Sequence, residues 1–202
     1  MNSETKNNIK KLTVSIIGVM LVGAGVALAT LPELGSDCLA SFNEVVSRKL
    51  GISFGYMTTI TEIIMTIIAF MMNRKNVGVG TLMAILFVRF PIDTTYQLIS
   101  KPSSIIVCLL YVVIGTLMVA LGVELIIHAD LGMGTYEAFM YGIAEKTSIK
   151  FIYVKYICDA TFLFLTLILG GFIGLGTIIN YILCPKMMDI FDGLISKHLS
   201  FK

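Results

Sequence analysis

The sequence predicts an all-α integral membrane protein with about six transmembrane helices, arranged as two inverted three-helix repeats. Three observations support this fold class. Hydrophobic residues make up 56% of the 202 residues and charged residues only 14%, whereas soluble domains carry about 25% charged residues. About six apolar stretches reach the roughly 20 residues that a bilayer span requires. The sequence also resembles itself at an offset of 97 residues.

The apolar stretches follow one another with short connections. We expect one membrane domain, 1–202, in which 12–99 forms the first repeat and 104–195 the second. The uncharged stretch that begins the first span is longer than the apolar region of a signal peptide, so we expect it to be retained. Gly170 and Gly171 separate the last two spans as a hairpin. The predicted spans are 12–31, 52–72, 77–99, 104–127, 151–170 and 174–195.

The distribution of basic residues predicts the orientation and the compartment. If the N-terminus is inside, most basic residues near the span ends lie on the cytoplasmic side, and the C-terminus is inside too. We therefore expect a multi-pass protein of the cytoplasmic membrane whose main partner is the lipid bilayer. A net charge of +2 gives no case for nucleic acid. The four cysteines show no metal-ligand or disulfide spacing, and no cofactor is expected.

The internal repeat depends on residue types that match rarely by chance. Gly18 aligns with Gly115 and Gly25 with Gly122 at the offset of 97, and a GxGT tetrapeptide at Gly78 aligns with one at Gly174 after a single deletion. Each half holds three spans, an odd number. The second half must therefore enter the membrane from the opposite side, which makes the repeats inverted.

A shorter amphipathic segment lies between the first and second span of each half, at 36–50 and at 133–147. Apolar residues recur at helical spacing in both, but about 15 residues are too few to span a bilayer. Charged residues in these segments fit either an interfacial helix or a re-entrant half-helix buried in protein. The sequence leaves both alternatives open.

Acidic residues deep in the spans are the first candidates for a binding site. Glu62 lies ten residues into the second span, and Asp159 is its equivalent in the fifth. An ionisable group at the bilayer centre costs at least about 2.5 kcal/mol unless it is paired or faces water. Two such acids are typical of a cation or proton site, although Lys155, one turn before Asp159, could simply neutralise it.

Further charged pairs occur in the third and sixth spans. Arg89 precedes Asp93 by four residues, and Lys186 precedes Asp189 by three, so an ion pair within each helix is the simplest interpretation. The alternative is that Arg89 reaches Glu62 or holds an anionic substrate.

Two other features are weaker candidates. Glu124 and His128 form an i,i+4 pair near the end of the fourth span, where the histidine is either a proton relay or an interfacial residue. Glycines that open the third and sixth spans either allow close packing or leave backbone N–H groups free for an anion. The sequence contains no hydrolase, metalloprotease or phosphate-loop motif, and we expect no enzymatic activity.

The second half also resembles a bacterial family. Leu131-Gly132-Met133-Gly134-Thr135-Tyr136-Glu137 is similar to the LGxxPWD motif of the YczE/YyaS/YitT-like membrane proteins, with Thr135, Tyr136 and Glu137 in place of Pro, Trp and Asp. The GxGT start of a later helix, with Gly174, Gly176 and Thr177, matches as well. The resemblance covers nearly the whole chain. It implies a cytoplasmic-membrane protein of a group often suspected of transport, and it supplies no substrate.

Two functional hypotheses follow. The first is a transporter or channel-like protein for a small solute or ion, with its site at the repeat interface near Glu62, Asp159 and Arg89. The second is a non-transporting membrane subunit that assembles with or regulates another protein through the charged face from Glu137 to Lys150. The glycine-rich faces of the first and fourth spans would also permit a homo-oligomer.

Overall fold

The computed structural model describes residues 3–35, 37–52 and 54–198. Within these ranges the chain forms nine α-helices and one 3₁₀ turn, Arg74–Asn76, and contains no β-strand, which confirms the all-α class. The helices are α1 (Ser3–Thr30), α2 (Cys38–Leu50), α3 (Phe54–Met72), α4 (Val79–Phe87), α5 (Arg89–Leu98), α6 (Ile105–His128), α7 (Thr135–Thr147), α8 (Phe151–Ile168) and α9 (Leu175–His198).

Three of these helices are long and apolar enough to cross a bilayer. They are Asn7–Thr30 in α1, Ile105–His128 in α6 and Phe151–Ile168 in α8, and the apolar part of α3, Tyr56–Met72, is somewhat shorter. Large apolar side chains of α3, among them Ile64 and Ile67, are about half exposed. A contiguous apolar surface of this kind is unfavourable in water and suits contact with lipid.

The third predicted span, 77–99, is not one continuous helix. It is interrupted at Val88 into α4 and α5. Pro91 explains the interruption, because it has no N–H to donate to the carbonyl of Phe87, and its ring crowds that carbonyl. Pro91 also lies against Gly23 of α1, where the carbonyl oxygen of Val88 would be 2.6 Å from an added Cβ. The bend therefore fits closely onto α1.

The most extensive contact between helices in the described part of the chain is the antiparallel packing of α1 on α6. Gly18 of α1 faces Gly122 of α6, and seven residues further along, Gly25 faces Gly115. A Cβ added to Gly18 would lie 2.7 Å from the carbonyl oxygen of Gly122, and one added to Gly115 would lie 2.6 Å from that of Gly25. Small residues are thus required for the helices to approach this closely.

The loops that open α4 and α9 are held by the opposite half of the chain. The N–H of Gly80 donates to the carbonyl of Leu131 at 2.6 Å, and the N–H of Gly176 donates to the carbonyl of Leu34 at 2.8 Å. The Thr81 hydroxyl donates to the carbonyl of Met133 at 2.6 Å. These bonds satisfy N–H groups that a helix start leaves free, so both GxGT elements serve packing between the halves.

The short helices α2 and α7 begin beside the middle of α8. The Tyr136 hydroxyl in the first turn of α7 donates to Asp159, the ninth of the 18 residues of α8. One turn along α2, Phe42 packs on Phe162 of α8 with ring centroids 5.4 Å apart. Both short helices therefore begin inside the bundle, beside the middle of a helix that is long and apolar enough to cross a bilayer.

Candidate functional site

A cavity of about 190 Å³ lies at the centre of the helix bundle. The N-terminal ends of α2 and α7 meet there, and α1, α3, α4, α5, α6, α8 and α9 complete its wall. Most of the wall is apolar. The polar side chains on it are Asp37, Asn43, Thr58, Glu62, Thr135, Tyr136, Glu137, Lys155, Asp159 and Asn180.

A buried ion pair on α8 forms one side of the cavity. The Lys155 ammonium lies 3.2 Å from the Asp159 carboxylate, and both side chains are less than 10% exposed. Tyr136 donates its hydroxyl to the other carboxylate oxygen at 2.7 Å, and Lys155 lies 5.3 Å from the centre of the Tyr136 ring. Burying two charges is costly unless their geometry and remaining hydrogen bonds are satisfied, and Tyr136 supplies that bond for Asp159.

Each short helix carries a carboxylate at the end that faces the cavity. Asp37 is the N-cap of α2 and accepts a hydrogen bond from the N–H of Ala40 at 2.9 Å. Glu137 occupies the first turn of α7, and its carboxylate folds back over Gly134 at the N-cap position. Negative side chains are favourable at these positions because backbone N–H groups there are unpaired. Both helix ends are consequently satisfied by the chain's own carboxylates.

Glu62 lies on the opposite wall, on α3, and is half-buried. Its carboxylate makes no ion pair or hydrogen bond with any residue that the structure describes. Another acid, Glu137, lines the same cavity. Glu62 is therefore a carboxylate that faces the cavity with no partner of its own among the described residues, in contrast to Asp159.

The chain matches one protein family along almost all of its length. Residues 9–193 match the model of a family of unknown function, DUF6198. The chain belongs to this family. An uncharacterized protein of Haemophilus influenzae is 20% identical over 188 residues, which cover 93% of this chain and 86% of that protein.

Two proteins of Bacillus subtilis are similar to this DUF6198 member. The uncharacterized protein YyaS is 20% identical over 189 residues, covering 92% of this chain and 94% of YyaS. The uncharacterized membrane protein YczE is 25% identical over 167 residues, covering 82% and 78%. These matches confirm the predicted resemblance and the membrane location. No solved structure matches the chain significantly.

The family-motif residues of this DUF6198 protein divide into two groups. Thr135, Tyr136 and Glu137, the three that depart from the motif, all line the cavity. Leu131, Gly132, Gly174, Gly176 and Thr177 lie in the contacts between the loops instead. Gly132 has φ of +108°, and Cβ atoms at Gly132 and Gly176 would crowd the backbone of the opposite loop. The motif thus combines a structural part with a part that faces the cavity.

The charged residues predicted for the third and sixth spans do not line the central cavity. Arg89 and Asp93 form the predicted i,i+4 ion pair at 3.2 Å, but both side chains are more than half exposed. Lys186 and Asp189 form no ion pair within 4.0 Å in the part of α9 that the structure describes. Asp189 lies instead on a second cavity of about 170 Å³, together with Glu124 and Asp192.

Several cavity residues carry little signal in the sequence. In the sequence, Asp37 and Asn43 are two of the polar residues of the amphipathic segment 36–50, and nothing in the pattern distinguishes them from residues that face water. They reach the cavity only because α2 turns back into the protein. The available signal is the N-cap pattern at Asp37 before an apolar run, which predicts a helix start but not its depth.

Proposed function

We propose that this protein is a membrane transporter or channel-like protein for a small cation or a small solute that carries an amine, and that it has no enzymatic activity. The observation that supports this most directly is the central cavity between the two halves, with Glu62 facing it. Ionisable residues inside a membrane bundle are expensive, and they commonly mark a substrate or ion path.

The charge of the cavity favours a cationic ligand. Its wall carries four carboxylates, Asp37, Glu62, Glu137 and Asp159, against one cation, Lys155. An anion would usually bind at the N-termini of the half-helices, but the carboxylates of Asp37 and Glu137 already lie there. Lys155 is likewise occupied by Asp159. The remaining group without a partner in the described ranges is acidic.

The proposal includes two inverted three-helix repeats in the cytoplasmic membrane, with both termini inside. Reciprocal contacts support the inverted arrangement. Exchange of the halves at the offset of 97 converts the Gly18–Gly122 contact into the Gly115–Gly25 contact, and both occur. The same exchange, with the single deletion before the GxGT elements, relates the two loop hydrogen bonds made by Gly80 and Gly176. A site where such repeats meet is typical of transporters.

The alternative function, a subunit that docks a partner through α7, has less support. Glu137 faces the cavity rather than the surface. Glu145 accepts hydrogen bonds from Asn73 at 2.5 Å and from Asn76 at 3.3 Å, at the end of α3 and in the turn that follows. Two of the acids that would form the docking face are thus used within the chain.

Transport can be tested with purified protein in liposomes. The probes are Na⁺, K⁺, H⁺ and methylammonium, followed by ion-sensitive dyes for the metal ions and protons and by radiolabel for methylammonium. We expect the wild type to move at least one of them, and Glu62→Gln to lower its flux at least about tenfold, because the substitution removes the acceptor charge without changing the side-chain volume.

Glu44→Gln is the matched control for this experiment. Glu44 is an exposed glutamate of α2 whose one ion-pair partner among the described residues is Arg48. The flux through Glu44→Gln should therefore equal that of the wild type. Equal flux in Glu62→Gln and wild-type liposomes would refute the site. Absence of flux of all four probes in the wild type would refute the cationic substrate class.

A further inference from the structure

A second polar cluster lies at the end of the bundle where α6 and α9 finish. Glu124 and His128 come from α6 and Asp192 from α9, and one ligand atom of each lies within 4.8 Å of the others. The cluster borders the second cavity, about 170 Å³, which also contains Asp189. The central cavity contains neither His128 nor Asp192, although both cavities contact Lys155 and Met188, so the proposal below does not rest on the function proposed above.

The hydrogen bonds around His128 determine which ring nitrogen carries the proton. Nδ1 lies 2.9 Å from the carbonyl oxygen of Glu124, which can only accept, so Nδ1 holds a hydrogen. Nε2 faces Asp192 Oδ1 at 3.3 Å and Ser196 Oγ at 3.1 Å. The Ser196 hydroxyl already donates to the carbonyl of Asp192 at 2.6 Å. A neutral His128 with its hydrogen on Nδ1 therefore presents the Nε2 lone pair beside the Asp192 carboxylate, and a cation between Nε2 and Asp192 would be bound by both.

Glu124 supplies an independent observation. Its side chain is only 4% exposed, and its carboxylate makes no hydrogen bond with any described residue. The nearest charged group is His128 Nδ1, at 3.7 Å. A carboxyl group buried in this way is stable either beside a positive charge or after it takes up a proton. A proton on His128 would give one positive charge for two carboxylates, whereas a divalent ion gives two and leaves the cluster neutral.

We propose that Glu124, His128 and Asp192 bind one divalent transition-metal ion. One imidazole nitrogen with two carboxylates suits Zn²⁺, Co²⁺ or Mn²⁺ better than Ca²⁺ or Mg²⁺, which prefer oxygen ligands alone. Ligand atoms about 2.1 Å from a metal lie about 3.0 to 3.4 Å apart, and the 3.3 Å between His128 Nε2 and Asp192 Oδ1 fits this range. The three ligand atoms lie within 4.8 Å of one another, so the Glu124 carboxylate shifts toward the ion when it binds.

The surroundings complete the site. The Nδ1–H bond to the Glu124 carbonyl fixes the ring so that Nε2 faces the ion, as a bond behind a ligating histidine usually does. Asp192 is 59% exposed and gives the ion access from the bundle end. The second cavity leaves room for water molecules as the remaining ligands.

The test uses the purified full chain in detergent, after treatment with EDTA, and Co²⁺ as the probe because its visible absorption reports ligation. We expect one Co²⁺ per chain, displaced by Zn²⁺. His128→Ala should lower the Co²⁺ affinity at least about 100-fold and Asp192→Asn at least about tenfold, since each removes a ligand. His198→Ala, at the only other histidine in the sequence, is the control and should bind like the wild type.

Correct folding of each variant is checked by the reactivity of the four buried cysteines, which stays low in a folded chain. Asp192→Asn changes an exposed side chain, so it tests the site even if His128→Ala fails to fold. The proposal is refuted if the wild type shows no Co²⁺ spectrum, because the cluster then holds a proton instead. It is equally refuted if Co²⁺ binds and Asp192→Asn leaves the affinity unchanged.

Discussion

The middle of α3 and the middle of α8 correspond at the 97-residue offset, yet their polar chemistry differs. On α8, Asp159 pairs with Lys155 and accepts a hydrogen bond from Tyr136. On α3, Glu62 occupies the equivalent position, and Thr58 stands where α8 has Lys155. One half therefore holds a fixed, internally neutralised charge pair, and the other presents an acid to the same cavity.

In the contacts of the short helices with α3 and α8, the first half is polar and the second half is apolar. Thr61 of α3 donates its hydroxyl to Asn43 of α2 at 2.7 Å, and both residues are buried. The equivalent residues of the second half, Cys158 and Met140, belong to an apolar cluster. The glycine contacts between α1 and α6 are conserved between the halves of this chain, whereas the residues around the cavity are not. The two halves thus share the glycine contacts of α1 and α6 but present different side chains to the central cavity.

The largest expected effect comes from breaking the ion pair of α8. Asp159→Asn leaves Lys155 charged, buried and unpaired, and we expect it to lower the free energy of unfolding by about 3 to 5 kcal/mol. Glu62→Gln should change stability by less than about 0.5 kcal/mol, since no partner is lost. Thermal unfolding can be followed with a thiol-reactive fluorescent dye, because all four cysteines are buried.

The variant with both Lys155→Met and Asp159→Asn sharpens this test. Removal of both charges avoids the unpaired cation, so the double variant should be more stable than Asp159→Asn alone. If Asp159→Asn and Glu62→Gln unfold at the same temperature, the two acids are equivalent and the contrast between α3 and α8 is wrong.

A smaller effect is expected from the polar contact in the first half. Thr61→Val removes the hydroxyl that bonds Asn43 and leaves a buried amide oxygen without that donor, which costs about 1 to 3 kcal/mol. Thr161→Val on α8 is the matched control. Thr161 is exposed and bonds only the carbonyl of Ile157 at 2.8 Å, so its loss should cost less than about 0.5 kcal/mol. Similar melting temperatures for the two variants would contradict the role of the Asn43 contact.

Apart from the start of α1, which lies at Ser3 and not at residue 12, the helix ends could be predicted from the sequence within a few residues, since hydrophobic runs and flanking polar residues determine them locally. The break at Val88 was missed although Pro91 signals it, because apolarity alone was used to place that span. It was harder to predict which side chains of each helix lie on the surface and which line the cavity. Arg89 lies on the surface and Asp37 in the cavity, and both depend on tertiary packing that hydropathy does not encode.

The depth of α2 and α7 could not be decided from the sequence for a similar reason. An amphipathic helix of 13 residues has the same pattern whether its polar face meets water or a buried polar cavity. Glu62 and Asp159 were predictable because a charge within an apolar run is visible without knowledge of the packing. The partner of Asp159 from another helix, Tyr136, was not.

The smallest effects are expected at the bundle ends, where the two halves resemble each other again. Glu33 and Asp130 correspond at the same offset, both have φ near +55°, and they pair with Lys101 and Lys11. The hydrogen bond from Lys101 lowers the pKa of Glu33 below its usual 4.5. A carboxyl group whose pKa is lower in the folded state contributes stability at pH values above its unfolded-state pKa. This contribution is lost as the pH falls through the folded-state pKa.

Lys101→Met should accordingly lower the melting temperature slightly at about pH 7 and by less at about pH 3, because the contribution of the pair shrinks as the pH falls through the lowered pKa of Glu33. Circular dichroism at both pH values measures this difference, and added salt should reduce it because the pair is exposed. Lys11→Met should have the larger effect of the two, since Lys11 is only 15% exposed and Lys101 is 53% exposed. Both effects should remain below that of Thr61→Val, because solvent screens the end pairs and does not reach the contacts around the cavity wall to the same degree.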